Sequence, residues 1–242
     1  MQMPEISVII PCYNEAKIIG RSVDVLRTAM HRCGRDFEIV LCNDGSSDGT
    51  SGQIQKLADR YRDVTVVDYQ PNRGAGYAFR QGIEVAKGNY VMHMDADLAM
   101  DPAEVVPIFL EALSRHDVVI ASRYRGKKAD YPLRRRLPSL IYSQVYRRLL
   151  RLPIRDAMSG FFAIRAEVLT TIAPLEMDGF EIYLELFLKA SQNGYSIREI
   201  PAKFTHQTDS GEVSVLRHAP AQLANTFRIW KRFGSGWTGT RP

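Results

Sequence analysis

The chain has 242 residues, of which 45% are hydrophobic and 24% are charged, a composition typical of globular proteins that excludes the disordered, collagen-like and disulfide-rich classes. Its 32 lysines and arginines exceed its 27 aspartates and glutamates by five, a balance too mild to identify a binding partner. The three cysteines form no C-x-x-C pair, so neither a zinc site nor a disulfide framework is expected, and a cytoplasmic location is predicted.

The charge is unevenly distributed along the chain. Eleven lysines and arginines and a single acid lie between Arg123 and Arg155, so this basic segment carries a charge of +10 and the remainder of the chain −5. Such a segment is expected to face an anion: a phosphate, a nucleic acid or a lipid surface. Because no nucleic-acid-binding motif accompanies it, a nucleic-acid partner is not expected. The sequence suggests no signal peptide and no transmembrane helix, so any membrane contact is expected to be peripheral.

Five short apolar runs alternate with helical stretches over the first 121 residues. They are Ile6–Ile10, Phe37–Leu41, Val64–Val67, Tyr90–Met94 and Val118–Ala121. This alternation predicts an α/β fold, with a mostly parallel sheet and helices on both of its faces. Ligands of such sheets bind beyond the carboxyl ends of the strands, so the residues directly after each run are the candidates for a site.

The pattern changes after residue 122. The predicted elements are a basic helix rich in Tyr and Leu (Pro138–Leu152), a strand at Gly160–Ile164, a helix at Phe180–Gln192, strands at Ser196–Ile200 and Ala202–Thr205, and an amphipathic helix at Leu216–Phe233. For the apolar residues of the first of these helices, core packing and lipid contact are both open. One domain is expected at residues 1–233, with a nucleotide- and metal-binding half up to about residue 122, an acceptor half after it, and a flexible tail at 234–242.

Polar loops follow the first two apolar runs. Pro11–Glu15 and Asn43–Thr50 fit simple turns, with Asn14 as a helix N-cap. Because the two loops follow adjacent strands, their carboxylates and small residues could instead hydrogen-bond a base and a ribose together.

The fourth apolar run ends in Asp95-Ala96-Asp97. Two carboxylates at this spacing repel one another unless a cation lies between them, and such oxygen ligands suit Mg²⁺ or Mn²⁺ holding a diphosphate. The spacing is common by chance, but its place after two candidate nucleotide loops favours a metal site.

In order and spacing, these motifs resemble the family 2 glycosyltransferases, which have the GT-A fold. The resemblance is carried by Ile6–Glu15, Asn43–Thr50, Asn72–Gly76 and Met94–Leu98. The second half is similar to the dolichyl-phosphate mannose synthase branch and its bacterial polyprenyl-phosphate relatives, in Ala121–Tyr124, Pro132–Arg136 with Ser139, Arg155–Phe161 and Gly179–Glu185. The resemblance covers roughly residues 5–214.

The resemblance implies roles for individual residues. The donor nucleotide sugar would be held by Pro11, Tyr13, Asn14, Glu15, Asp44, Gly74, Asp95 and Ala96, and the metal by Asp95 and Asp97. The acceptor would be bound by Arg123, Arg134, Arg135, Ser139 and Ser159, with Asp156 and Ser159 lining the sugar pocket. The implied catalytic residues are Asp95, Asp97, Arg123 and Asp156. Two features depart from the family pattern. Ala99 offers no side chain to assist the metal, and in the loop His206–Ser214 the usual diphosphate-clamping cation is either missing or replaced by His206.

The implied reaction is an inverting transfer of a hexose to a polyprenyl phosphate at the cytoplasmic face of a membrane. Mannose from GDP-mannose is the first expectation, and glucose from UDP-glucose is the alternative. A phosphate acceptor is largely dianionic at neutral pH and needs no general base, and its charge accounts for the arginines of the basic segment. A hydroxyl acceptor would instead need a carboxylate base, for which Asp156, Glu181 and Glu185 are candidates. The need for a membrane-anchoring subunit stays open.

Overall fold

The computed structural model of the protein describes residues 3–123, 133–203 and 223–234, with side chains from residue 140 onward in the second range. The strands are β1 (Ile6–Cys12), β2 (Phe37–Asp44), β3 (Val64–Tyr69), β4 (Tyr90–His93), β5 (Val118–Ser122), β6 (Phe162–Arg165) and β7 (Ile197–Pro201). The helices are α1 (Ile19–Cys33), α2 (Thr50–Arg60), α3 (Ala75–Val85), α4 (Pro102–Leu113), α5 (Leu133–Leu150), α6 (Ala166–Ile172) and α7 (Glu181–Gln192). Residues 223–234 form the C-terminal helix, which ends in a π-helical turn at Trp230–Gly234.

The described strands form one sheet in the order β3-β2-β1-β4-β6-β5-β7. β1 pairs in parallel with β2 and β4, β2 with β3, and β5 with β7. β6 runs antiparallel between β4 and β5. The predicted mostly parallel α/β sheet is therefore confirmed, and it contains a strand at each of the five N-terminal apolar runs.

Alternate strand residues point to opposite faces of the sheet, and each face packs against its own helices. Ile9 and Val40 lie in a buried cluster with residues of α3, α5, α6 and α7. Val8 and Ile39 lie in a second cluster with residues of α1, α2 and α4. Because the strands are buried on both sides, their apolar runs are nearly continuous.

Helix α5 combines the two roles that its sequence leaves open. Tyr146 and Leu150 are buried in the core, whereas Ile141 and Val145 on the same helix are exposed. The C-terminal helix lies beside α5, where the hydroxyls of Tyr142 and Thr226 are 2.7 Å apart. None of the helices in the described ranges is long and apolar enough to cross a membrane.

The region after β7 differs from the prediction. β7 ends at Pro201, opposite the last residue of its partner β5. The predicted strand at Ala202–Thr205 is therefore wrong for Ala202 and Lys203, which lie beyond the end of that partner strand. Residues 204–222, which include the loop His206–Ser214, and the predicted tail from 235 onward lie outside the described residues, whereas the predicted C-terminal helix is confirmed from residue 223.

Candidate active site

The loops after β1 and β2 are tied to one another by hydrogen bonds. The Asn14 amide donates to Ser46 Oγ, and the Ser47 amide donates to Asn14 Oδ1, each over 2.9 Å. Asn14 has a left-handed backbone with φ of 58°, and α1 begins only at Ile19, so the N-cap interpretation of Asn14 is wrong. Tyr13, which precedes Asn14 in the first of these loops, is 51% exposed.

Asp44 ends β2 and holds the loop that precedes α3. Its carboxylate is buried and accepts four hydrogen bonds of 2.7–2.9 Å. The donors are the Tyr69 hydroxyl, the Asn72 side-chain amide, and the backbone amides of Arg73 and Gly74. Gly74 has a φ of 100°, and a side chain there would overlap the Asp178 carbonyl, so the loop requires glycine at this point. Asp44 therefore fixes the loop before α3, and its direct contact with a nucleoside stays a prediction.

Three carboxylates lie close together beyond β1 and β4. Burial, followed by the charges of Asp97 and Asp48, raises the pKa of Glu15 to about 7. Burial and then Asp97 also raise the pKa of Asp95 to about 7; Arg123 opposes this rise, and Glu15 adds to it. The site therefore holds more negative charge than the nearby protein cations balance, and a divalent cation would relieve the imbalance.

Asp95 and Asp97 fit the predicted Mg²⁺ or Mn²⁺ by the chemistry of their oxygens and by this charge imbalance. Within the described ranges, no group of three or more His, Cys, Asp or Glu side chains is arranged to hold a metal by itself. Most ligands of an ion here would therefore come from a diphosphate and water. Ala96 is buried between the two aspartates, and the Ala99 backbone amide donates to Asp97 Oδ1 over 3.2 Å.

Gly160 forms the wall beside Asp95, because a side chain at this glycine would overlap the Asp95 carboxylate. The Gly160 carbonyl lies 2.6 Å from His93 Nδ1, and His93 Nε2 lies 2.8 Å from the Tyr183 hydroxyl. Burial lowers the pKa of His93 to about 4, so the neutral ring donates to the carbonyl and accepts from the tyrosine. Sequence reasoning assigns no role to His93 or Tyr183, because nothing in the segments that contain them shows that the two side chains meet.

Arg123, which is partly exposed, forms an ion pair with the buried carboxylate of Asp156. Asp156 is 1% exposed and accepts from Arg123 Nη2 at 2.6 Å, from Nε at 3.0 Å and from the backbone amide at 2.8 Å. The Arg123 side chain stays 30% exposed, and its charge acts on Asp95. Asp156 therefore orients Arg123 near the carboxylate pair. The buried Ser159 hydroxyl donates to the Ala121 carbonyl over 2.7 Å, so its contact with sugar or acceptor stays a prediction.

Glu185 has a structural role in place of the acid–base role considered for it. Its fully buried carboxylate accepts from the backbone amides of Glu176 and Met177 at 2.9–3.0 Å and pairs with Lys189 at 2.7 Å. Its assignment as a candidate base is therefore wrong. Glu181 lies in the first turn of α7, and its role as a base stays a prediction.

The remaining predicted residues are divided between the sheet edge and undescribed positions. Pro11 lies near the end of β1, opposite Cys42 of β2, at the edge where Asp44 ends its strand. The side chains of Arg134, Arg135 and Ser139 lie outside the described residues, so their contact with an acceptor stays a prediction.

Comparison with known proteins agrees with the motifs at this site. Residues 7–172 match the family described as Glycosyl transferase family 2. The chain is 35% identical over 207 residues to the dolichol-phosphate mannosyltransferase of Pyrococcus furiosus, a match that covers 83% of this chain and 56% of that protein. The chain thus spans little more than half the length of this relative. It is 32% identical over 214 residues to the dolichol-phosphate mannosyltransferase of Saccharomyces cerevisiae, covering 85% of this chain and 79% of that protein.

The fold is shared with solved structures of low sequence identity. The mannosyltransferase PcManGT from Pyrobaculum calidifontis, solved in complex with GDP-Man and Mn²⁺, superposes with a TM-score of 0.68 at 19% identity. The match covers 100% of this chain and 67% of that chain. This likeness concerns the fold, and the predicted GT-A arrangement is confirmed.

Proposed function

The chain belongs to glycosyl transferase family 2, and from that premise we propose that it transfers a hexose from a nucleotide sugar to a polyprenyl phosphate at a membrane surface. GDP-mannose is the first candidate donor, because the two relatives described above are dolichol-phosphate mannosyltransferases. UDP-glucose is the alternative donor.

The observation that carries the proposal is an arginine held close to the metal-binding carboxylates. Arg123 is fixed by Asp156, and its charge acts on Asp95. A cation in this position suits a reaction between two anions, because it offsets the repulsion between an incoming phosphate and a departing diphosphate. A hydroxyl acceptor would need a carboxylate base, whereas the oxygens of Asp156 and Glu185 are engaged by protein donors.

In the proposed reaction, one set of residues acts on the leaving group and another acts on the acceptor. When bound at Asp95 and Asp97, a Mg²⁺ or Mn²⁺ ion offsets the charge of the nucleoside diphosphate leaving group. Arg123 would bind and orient the acceptor phosphate so that its oxygen attacks the anomeric carbon on the face opposite the leaving group, which inverts the configuration. No general base is needed, because a phosphate monoester with a second pKa near ~6 is largely dianionic at neutral pH.

Exposed apolar residues on two neighbouring helices support contact with a membrane. Ile141 and Val145, one turn apart on α5, are 57% and 37% exposed, and Leu223 and Phe227, one turn apart on the C-terminal helix, are 45% and 55% exposed. Exposed cations on the same helices are Arg148, Arg228, Lys231 and Arg232. Apolar residues accompanied by cations suit the surface of an anionic bilayer. Binding of the chain alone to anionic vesicles would show that this contact needs no anchoring subunit.

A transfer assay with matched acceptors tests the proposed reaction. The protein is incubated with labelled GDP-mannose, Mn²⁺ and a short polyprenyl phosphate, and we expect labelled lipid. A polyprenol of the same length, which lacks only the phosphate, is the control and should accept no label. Parallel reactions with UDP-glucose identify the donor. Absence of labelled lipid with both donors would contradict the proposal, and transfer to the polyprenol alone would support a hydroxyl acceptor.

A further inference from the structure

Asp156 lies in a short turn made of Arg155, Asp156 and Ala157, here called the 155–157 turn. Its carboxylate takes three hydrogen bonds from Arg123, so the position of the guanidinium depends on the position of this turn. The turn belongs to no helix or strand, so no regular hydrogen-bond ladder fixes its backbone. The contacts that immobilise the turn therefore decide how firmly Arg123 is held.

A buried carboxylate of β7 holds one side of the turn. Glu199 is 4% exposed, and its Oε1 accepts from the backbone amides of Arg155 at 2.9 Å and Asp156 at 2.8 Å. Hydrogen bonds to an ionised acceptor are stronger than those between neutral groups. Burying a carboxylate costs free energy of desolvation. A neutral oxygen could also accept these two hydrogen bonds without that cost. The chain thus places a buried charge directly beneath the partner of Arg123.

Helix α5 holds the other side of the same turn. The Tyr146 hydroxyl donates to the Arg155 carbonyl and accepts from the Ala157 amide, the latter over 2.9 Å. Ser143 Oγ also donates to the Arg155 carbonyl, over 2.6 Å. Tyr146 is 2% exposed, so water does not compete with its hydroxyl for these hydrogen bonds. One hydroxyl therefore joins the two ends of the turn that presents Asp156.

We propose that Tyr146 and Glu199 are positioning residues for the transfer reaction, which act on it by fixing the 155–157 turn and thereby the Asp156–Arg123 pair. The inference rests on the proposed function in one respect, namely that Arg123 orients the acceptor. Neither residue contacts the reacting groups in this account. They affect turnover only through Arg123. A residue that merely stabilises the fold would affect turnover whether or not Arg123 is present.

A double-mutant cycle with Arg123 tests this dependence. Tyr146→Phe removes one hydroxyl without changing the shape of the ring, and we expect kcat/KM for the acceptor to fall about tenfold, as for loss of one well-formed buried interaction. In an Arg123→Ala background the same change should alter kcat/KM by less than about twofold, because residues that act as one unit are not additive. Equal effects in both backgrounds would overturn the proposal.

Tyr142→Phe is the matched control for Tyr146→Phe. Tyr142 lies on the same helix and its hydroxyl also makes a hydrogen bond, but to Thr226 of the C-terminal helix. We expect this variant to change acceptor kcat/KM by less than about twofold. A loss equal to that of Tyr146→Phe would assign both effects to helix stability and overturn the proposal. On the other side of the turn, Glu199→Gln keeps an oxygen acceptor and should lose less activity than Glu199→Leu. The reverse order of activities would also overturn the proposal.

A spectroscopic measurement makes the inference testable apart from the identity of the acceptor. The Arg123 Nε–H donates to Asp156 over 3.0 Å and should exchange slowly with solvent, with its NMR signal identified by loss in Arg123→Lys. We expect faster exchange in Tyr146→Phe and Glu199→Leu and unchanged exchange in Tyr142→Phe. If the wild type transfers nothing to polyprenyl phosphate, the proposed function fails while this measurement still decides the inference. Unchanged exchange in both turn variants would overturn it.

Discussion

The carboxylates clustered at the site in the donor half (residues 3–122) and the buried carboxylates of the acceptor half (residues 123, 133–203 and 223–234) are balanced in opposite ways. In the donor half, Glu15, Asp95 and Asp97 repel one another, and the pKa values of Glu15 and Asp95 rise to about 7. In the acceptor half, each buried carboxylate has donors of its own. These pairings are Asp156 with Arg123, Glu185 with Lys189, and Glu199 with two backbone amides. The clustered carboxylates of the donor half would thus gain from a bound cation, whereas the buried carboxylates of the acceptor half are paired before any ligand arrives.

The largest expected effect follows from removing one of the unbalanced carboxylates. Asp97→Ala should reduce turnover by about a thousandfold and abolish Mn²⁺-dependent binding of the nucleotide sugar, because the diphosphate then loses its cation. Steady-state kinetics and calorimetry measure the two losses. Asp101→Asn is the control, since Asp101 caps α4 through the Ala103 amide and asparagine also caps helices well. A fully active Asp97→Ala protein would exclude the assigned metal site.

A smaller loss is expected when the preset cation of the acceptor half is removed. Arg123→Ala should lower acceptor kcat/KM by about a hundredfold and change donor affinity far less, because the arginine orients the acceptor. Arg123→Lys should recover little of this loss, since an ammonium cannot reproduce the forked pairing with Asp156. Arg27→Ala on α1, which breaks the ion pair between Arg27 and Asp63, is the control for loss of an arginine. If donor binding falls as much as acceptor use, the division between the halves is wrong.

His93 joins the two halves, and it predicts a pH effect on stability. It contacts Gly160 of the acceptor half from β4 of the donor half, and burial lowers its pKa from 6.5 to about 4. Its contribution is complete above pH 6.5 and is lost as the pH falls toward 4, because the unfolded chain then binds the proton more readily. The loss should reach about 2 kcal/mol of unfolding free energy at pH 5.

Chemical denaturation between pH 5 and 8 checks this effect by comparing the wild type with His93→Asn. The raised pKa values of Glu15 and Asp95 act with the opposite sign, since their contribution to stability grows as the pH falls below 7. Both proteins contain these carboxylates, so the difference between the two pH profiles isolates His93. Parallel profiles would show that His93 does not cause the predicted loss of stability at low pH.

The donor half could be predicted well from the sequence because its signals are local. An apolar run followed directly by Asp95 and Asp97 places both carboxylates at the end of a strand, and parallel strands bring such ends to one edge of the sheet. The same principle predicts that the loops after β1 and β2 lie together, and the Asn14 amide indeed donates to Ser46 Oγ over 2.9 Å. The sequence does not disclose that Asp44 holds the following loop, since its donors lie 25 to 30 residues away.

The acceptor half is harder to predict because tertiary contacts decide which of its charged residues are buried and what they pair with. Glu185 resembles a candidate base in the sequence, but backbone amides of a neighbouring loop and Lys189 enclose it. Glu199 carries no motif, and its role depends on amides 43 and 44 residues away. The antiparallel direction of β6 is also set by tertiary packing, because its apolar residues fit either direction. Burial of a charged residue cannot be inferred without knowing which donors surround it.

The same chemical change in each half, measured without metal, tests the central contrast. Asp97→Asn and Asp156→Asn each remove one negative charge and almost no volume, and thermal unfolding reports both. We predict that Asp97→Asn stabilises the metal-free protein by about 1 kcal/mol, because it relieves repulsion. Asp156→Asn should destabilise it by about 2 kcal/mol, because it removes the buried negative charge that pairs with Arg123. Changes of the same sign in the two variants would contradict this contrast.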